Sequence, residues 1–269
     1  MSKNNLITRS ITGLIFIAIV ISSIFLHTYI FAVLFLLVTL IGIGELLNAS
    51  KFYSNISINK VLAYVSGGVT YLIISANAQQ LIETKWLLLI ILLLPIIMIF
   101  ELYRKKSNPF LNIAYTFLPT FYIAIPLGIL NYMQIEANGK ILLAFFVTIW
   151  ASDTFAYCVG TLMGKHRLFE RISPKKSWEG SIGSAIITIG ISLFYNQIFG
   201  ELNMWQWSIF ALIAIVTATF GDLVESLFKR SVEIKDSGNI LPGHGGILDR
   251  FDAVLLSSPF IFVFLQIIK

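Results

Sequence analysis

Trp86 to Phe100 reads WLLLIILLLPIIMIF, fifteen residues with no charge and no apolar/polar alternation. A strand crossing a bilayer would alternate over about ten residues. A helix crossing one needs roughly 20 consecutive, mostly apolar residues. The run therefore reads as the core of a transmembrane helix. The rest of the chain is built from similar runs, at about 9–27, 29–48, 61–76, 86–103, 109–134, 141–162, 180–200, 206–228 and 252–268.

The composition agrees. Hydrophobic residues make up 57% of the 269 and charged residues 12%, against about 25% charged in a soluble domain. Mean hydropathy is +0.84. The sequence thus predicts an all-α, polytopic helical membrane protein with about nine transmembrane helices. It forms a single membrane domain, 1–269, with a helical scaffold half at 1–140 and a catalytic half at 141–269. Lys3 and Arg9 precede the first apolar run in the manner of a signal peptide. No small-residue cleavage site is evident, so the run reads as a retained span. Cys158 is the single cysteine, which excludes an intrachain disulfide and a cysteine zinc cluster.

The net charge of +5 does not point to nucleic acid. With the N-terminus inside, the internal segments hold 16 of the Lys and Arg residues and the external ones hold Lys85, Lys140 and Lys269. That bias follows the positive-inside rule. It places the charged loops at 165–179 and 229–251 on one side, at the cytoplasmic face. The first half is chemically plain. Glu45 and Glu101 lie near span ends, where each is expected to be wetted or paired with a nearby Lys or Arg. Pro119 and Pro126 are expected to kink the fifth span.

The catalytic half differs. Asp153 lies well inside the sixth span, with Tyr157 one turn on and Gly160 and Gly164 continuing that face. It is either a carboxylate satisfied by another helix or part of a site; the segment alone leaves both open. The next loop carries Ser173-Pro174-Lys175-Lys176-Ser177-Trp178-Glu179-Gly180. Ser177 can cap the following helix, and two lysines before a helix N-terminus suit a phosphate. In the eighth span Asp222, Glu225, Ser226 and Lys229 follow i, i+3, i+4, i+7 spacing and form one polar stripe.

Then comes Ser226 to Asp252, SLFKRSVEIKDSGNILPGHGGILDRFD, with eight charged residues in 27. Gly245 and Gly246 allow close backbone approach. Asp249 and Asp252 are three apart at the start of the last span. Each is favourable there through the helix dipole alone, but with Asp222 they make a better hard-cation site, suited to Mg2+. His244 reads equally as structural or as a nucleotide contact.

This stretch resembles the signature of the phosphatidate cytidylyltransferases, also called CDP-diacylglycerol synthases. The matching positions are Ser226, Lys229, Arg230, Lys235, Asp236, Gly238, Pro242, His244, Gly245, Gly246, Asp249, Arg250 and Asp252. Trp150, Asp153, Tyr157, Gly160, Gly164 and Lys165 are similar to the family's intramembrane acidic segment. Residues 173–180 are similar to its Ser-Pro-Lys-Lys-Thr-Trp-Glu-Gly segment, with Ser177 in place of Thr. The resemblance covers about 150–252.

It implies reaction of CTP with phosphatidic acid, giving CDP-diacylglycerol and pyrophosphate, with Mg2+, in a bacterial cytoplasmic membrane and as a homodimer. On that reading Asp222, Asp249 and Asp252 hold the metal. Asp249, Asp222, Lys229, Arg230 and Arg250 are catalytic. Asp153, Lys175, Lys176, Ser177, Ser226, Lys235, His244, Gly245 and Gly246 bind substrate. Asp153 either holds a second cation or orients a lysine. The rival readings are a CTP-dependent lipid kinase, a transporter and a structural scaffold. A transporter would need a charged path to the far face, and none is present.

Overall fold

The computed structural model describes residues 3–49, 56–240 and 245–269, with side chains from Ile11 onward. Among them are eleven α-helices and one β-hairpin. The helices are α1 (Lys3–Leu26), α2 (Thr28–Ala49), α3 (Lys60–Ala78), α4 (Leu89–Arg104), α5 (Pro109–Pro119), α6 (Ile125–Ile135), α7 (Lys140–Met163), α8 (Trp178–Ser192), α9 (Tyr195–Phe199), α10 (Met204–Ser231) and α11 (Leu248–Ile267). The hairpin strands are β1 (Arg167–Phe169) and β2 (Ser173–Ser177).

Seven stretches of the described residues are long and apolar enough to cross a membrane. One of them, Pro109–Met163, has 55 residues. At 1.5 Å per residue that is about 80 Å, against a hydrocarbon core of about 30 Å. It breaks at Glu136–Gly139, where Ala137 and Asn138 both take φ of 53°, so it has the length for two crossings. Ile11–Leu26 is a further, shorter apolar helix. The sequence-based figure of about nine spans is thus an approximate count of the same segments.

The expected disturbance near Pro119 and Pro126 is a π turn over Thr120–Ala124, which joins α5 to α6. Pro126 has no N–H to donate, and its ring crowds the carbonyl four residues back. The local shift to wider bonding relieves that clash.

The chain divides into two compact units, Met1–Ile135 with Ser231–Phe251, and Glu136–Arg230 with Asp252–Lys269. The short segment Ser231–Phe251 groups with the N-terminal helices.

In the first unit α2, α3 and α6 pack around Phe31, Phe35, Ile43, Tyr71, Leu127 and Leu130, all buried. Several polar groups inside it satisfy one another. The Tyr71 hydroxyl donates to the Ala32 carbonyl at 2.9 Å and accepts from Asn131 Nδ2 at 3.1 Å, and Ser75 Oγ donates to Asn131 Oδ1 at 3.0 Å. With no water in hydrocarbon, an unmet donor there would be costly. Glu101 is paired with Arg104 at 2.7 Å and accepts from Asn112 at 2.6 Å.

The second unit is organised by close helix approaches. α7 meets α8 at glycines: a Cβ on Gly180 would lie 2.8 Å from the Ala156 carbonyl, and one on Gly183 would lie 2.7 Å from Val159. Small residues allow such backbone contact between apolar helices. Trp207 on α10 is fully buried and meets Tyr195 and Phe210 edge to face.

Candidate active site

Three carboxylates come together in the second unit. Asp222 and Glu225 stand on α10 and Asp252 on α11, with ligand oxygens all within 4.8 Å of one another. Asp222 and Asp252 are half-buried, while Glu225 is 1% exposed. The two helices are drawn together at Gly221. A Cβ there would lie 2.6 Å from the Asp252 carbonyl oxygen and 3.0 Å from Ala253 Cα. Those neighbours are backbone and cannot swing aside. Gly221→Ala must therefore push α10 from α11 and spread Asp222 from Asp252. A loss of activity of about tenfold or more is expected, since sub-ångström placement controls such chemistry. Steady-state rates on the purified variant check it.

Cations surround the trio. Lys176 Nζ lies 2.6 Å from Asp222 Oδ2. Lys229 is ion-paired with Glu225 one turn before it. Ser226 Oγ donates to Asp222 Oδ1 at 3.2 Å. Asp153 on α7 is exposed, yet close enough for its charge to act on Asp252, as do those of Asp222 and Lys229. Four carboxylates thus share one neighbourhood. An oxygen-only donor set of this charge fits a hard divalent cation such as Mg2+, which takes one or two carboxylates and completes its shell with water and substrate phosphate.

Lys176 reaches Asp222 because of the hairpin, which the sequence-based all-α reading did not contain. β1 and β2 are antiparallel, pairing Arg167 with Ser177 and Phe169 with Ser173. Successive residues of a strand point to opposite faces. Lys176 therefore turns to Asp222 while Lys175 is exposed. Ser177, which is buried, caps α8 by accepting from Gly180 N at 3.1 Å. Glu179 then reaches back, accepting from Lys165 N at 3.1 Å and pairing with His166 Nδ1 at 2.6 Å. It pins the hairpin to the start of α8.

The glycine loop belongs to the first unit. Asp249 Oδ2 accepts from Ser237 N at 2.8 Å, from Ser237 Oγ at 3.0 Å and from Gly246 N at 2.8 Å. The bond to Gly246, three residues back, ties the first turn of α11 to the loop before it. Gly245 has φ +83°, and a Cβ there would meet Asp249 Oδ2 at 2.6 Å. Glu225 thus completes the trio with Asp222 and Asp252, while Asp249 ties Ser237 and Gly246 to the head of α11.

Glu45 is not wetted as expected, and among the described residues its partners are not cations. It is 5% exposed and accepts from Ile247 N and Leu248 N, each at 2.9 Å, and from Ser237 Oγ at 3.1 Å. Lys235, Arg230 and Arg250 are exposed, and His244 lies outside the described residues.

The model of the cytidylyltransferase family matches residues 7–268, nearly the whole chain. This chain belongs to that family. Among its relatives is a protein of Staphylococcus epidermidis named phosphatidate cytidylyltransferase, 35% identical over 235 residues, covering 85% of this chain and 87% of the relative. Proteins of the same name from Staphylococcus saprophyticus and Staphylococcus aureus are 36% and 33% identical over 234 residues, with the same coverage. The match runs through α1 to α11, so the family likeness takes in the scaffold helices as well as the charged loops.

Proposed function

We propose that this integral membrane protein transfers the cytidylyl group of CTP to phosphatidic acid, giving CDP-diacylglycerol and pyrophosphate, at the cytoplasmic face of a bacterial cytoplasmic membrane. The observation that carries the reading is the Asp222, Glu225 and Asp252 trio flanked by Lys176 and Lys229.

A phosphate monoester is already a nucleophile, so the reaction needs no strong base. A lipid phosphate oxygen forms a bond to the α-phosphorus of CTP as the bond to the β-phosphate oxygen breaks. The main task is to hold two polyanions together and to offset their charge. Asp222, Asp252 and Glu225 would hold Mg2+, which supplies a cation for phosphate oxygens and the leaving group. Lys176 and Lys229 sit beside the carboxylates and balance further charge. Lys175, Arg230, Lys235 and Arg250 are exposed and available to phosphates. Ser226 orients Asp222, and Ser177 sets the start of α8 and the end of the lysine strand. Asp153 holds a second cation or orients a lysine, and His244 contacts the nucleotide. Asp249, with Gly245 and Gly246, shapes the loop. The homodimer is carried by the family resemblance, and mass measurement of the detergent-solubilised protein tests it.

CTP labelled at the α-phosphate, with phosphatidic acid and Mg2+, tests the chemistry. Label is expected in the lipid product, with pyrophosphate released. Lipid labelled only from γ-labelled CTP, with CDP released, would make the protein a lipid kinase instead.

A further inference from the structure

Glu45 stands about 200 positions before the groups it bonds, on a helix of otherwise apolar character. It nevertheless accepts three hydrogen bonds from described residues. Both its oxygens are used: Oε1 accepts from Ile247 N, and Oε2 accepts from Leu248 N and Ser237 Oγ. The two amides are free donors at the N-terminus of α11, where backbone N–H groups lack helical partners and the dipole favours negative charge. Ser237 Oγ lies 3.1 Å from Glu45 and 3.0 Å from Asp249, so one hydroxyl bridges the two carboxylates.

The glycines show how closely this is built. A Cβ on Gly246 would lie 2.5 Å from Glu45 Oε2 and 2.6 Å from its Cδ. A Cβ on Gly238 would lie 2.8 Å from Glu45 Cδ. The loop therefore folds directly onto the Glu45 carboxylate at two glycines. A buried charge is costly unless hydrogen-bonded, and here, among the described residues, its three donors come from the loop and the head of α11. The carboxylate and the loop order one another.

We infer that Glu45 is a positioning residue for cytidylyl transfer, fixing from α2 Ser237, Gly238, Gly246 and the first turn of the helix that carries Asp249, Arg250 and Asp252. It acts through these groups and does not touch substrate. The inference rests on the reading that the head of α11 belongs to the catalytic machinery.

The test is Glu45→Gln in purified full-length protein, with Glu45→Asp beside it. Gln has the same size but replaces one acceptor oxygen by an amide that faces an N–H. The expected result is a turnover number lower by about tenfold to a hundredfold, with KM for the lipid within about twofold. Amide hydrogen exchange should speed up across 236–250 and stay unchanged in α3, α6 and α7. Glu45→Asp, which keeps both acceptors on a shorter stem, should retain several times more turnover than Glu45→Gln. Unchanged exchange at 236–250 would overturn the inference, as would faster exchange there with undiminished turnover. So would a uniform rise in exchange throughout the protein, which marks a general stabiliser. The catalytic reading of α11 fails separately, if Asp249→Asn and Asp252→Asn stay active.

Discussion

Asp222→Asn is expected to lower turnover by about a thousandfold while the protein still accumulates in the membrane. The side chain keeps its size, so α10 still packs at Gly221 against α11. What goes is one negative charge from the trio and the anionic partner of Lys176, now 2.6 Å away. Metal-assisted charge stabilisation is worth several kcal/mol, and about 4 kcal/mol corresponds to a thousandfold in rate. The Lys176 pair cannot supply that effect. Both its side chains are partly open, at 25% and 35% exposure, and such ion pairs contribute about 1 kcal/mol or less. The two contributions can therefore be told apart. Lys176→Met removes the same ion pair but leaves the trio intact, and it should cost much less than Asp222→Asn. Rates at saturating CTP, with Mg2+ varied, check both. Wild-type turnover in Asp222→Asn would refute the metal assignment.

The helical architecture was readable because the bilayer narrows the choices. A chain that must meet all its backbone hydrogen bonds without water forms helices or closed barrels, and WLLLIILLLPIIMIF has no barrel pattern. Span limits of 61–76 and 86–103 correspond to α3 at Lys60–Ala78 and a helical stretch at Thr84–Arg104. The β-hairpin was not readable in the same way. Strands of three and five residues are too short to show a period of two, and SPKKS looks like any basic loop. What makes it a hairpin is pairing with Arg167–Phe169 and the clamp of Glu179 on the 165 and 166 amides, which are tertiary facts.

The acidic residues divide along the same line. Helical spacing showed that Glu225 shares a stripe with Asp222, and the signal was there to include it. Spacing of three at the head of the last span instead joined Asp249 to Asp252 and Asp222, and the resemblance agreed with that set. Spacing of three on a helix says that two side chains lie on neighbouring faces, not what each will bond. Asp249 sits in the first turn beside free amides, and Asp252 one turn further on joins Asp222 and Glu225. Glu45 had no signal at all. Its partners lie about 200 positions away along the chain, and nothing local distinguishes a buried helix-capping carboxylate from an interfacial one.

That division makes Asp249→Asn the sharpest probe of the loop. The variant can place its amide oxygen where Oδ2 now sits, keeping an acceptor for Ser237 N, Ser237 Oγ and Gly246 N. It cannot keep the charge. Hydrogen bonds to a charged acceptor exceed neutral ones by about 1 kcal/mol each. Three such losses approach 3 kcal/mol, which is on the order of a hundredfold in the population of the ordered loop. Turnover is expected to fall by at least that factor, with normal accumulation in the membrane. The loss should also exceed that of Ser237→Ala, which removes one of the three donors and leaves the carboxylate and both amides in place. If Asp249→Asn and Ser237→Ala were equally mild, the Asp249 charge would have no part in catalysis. Loop order would then have to come from Glu45 and the glycines alone.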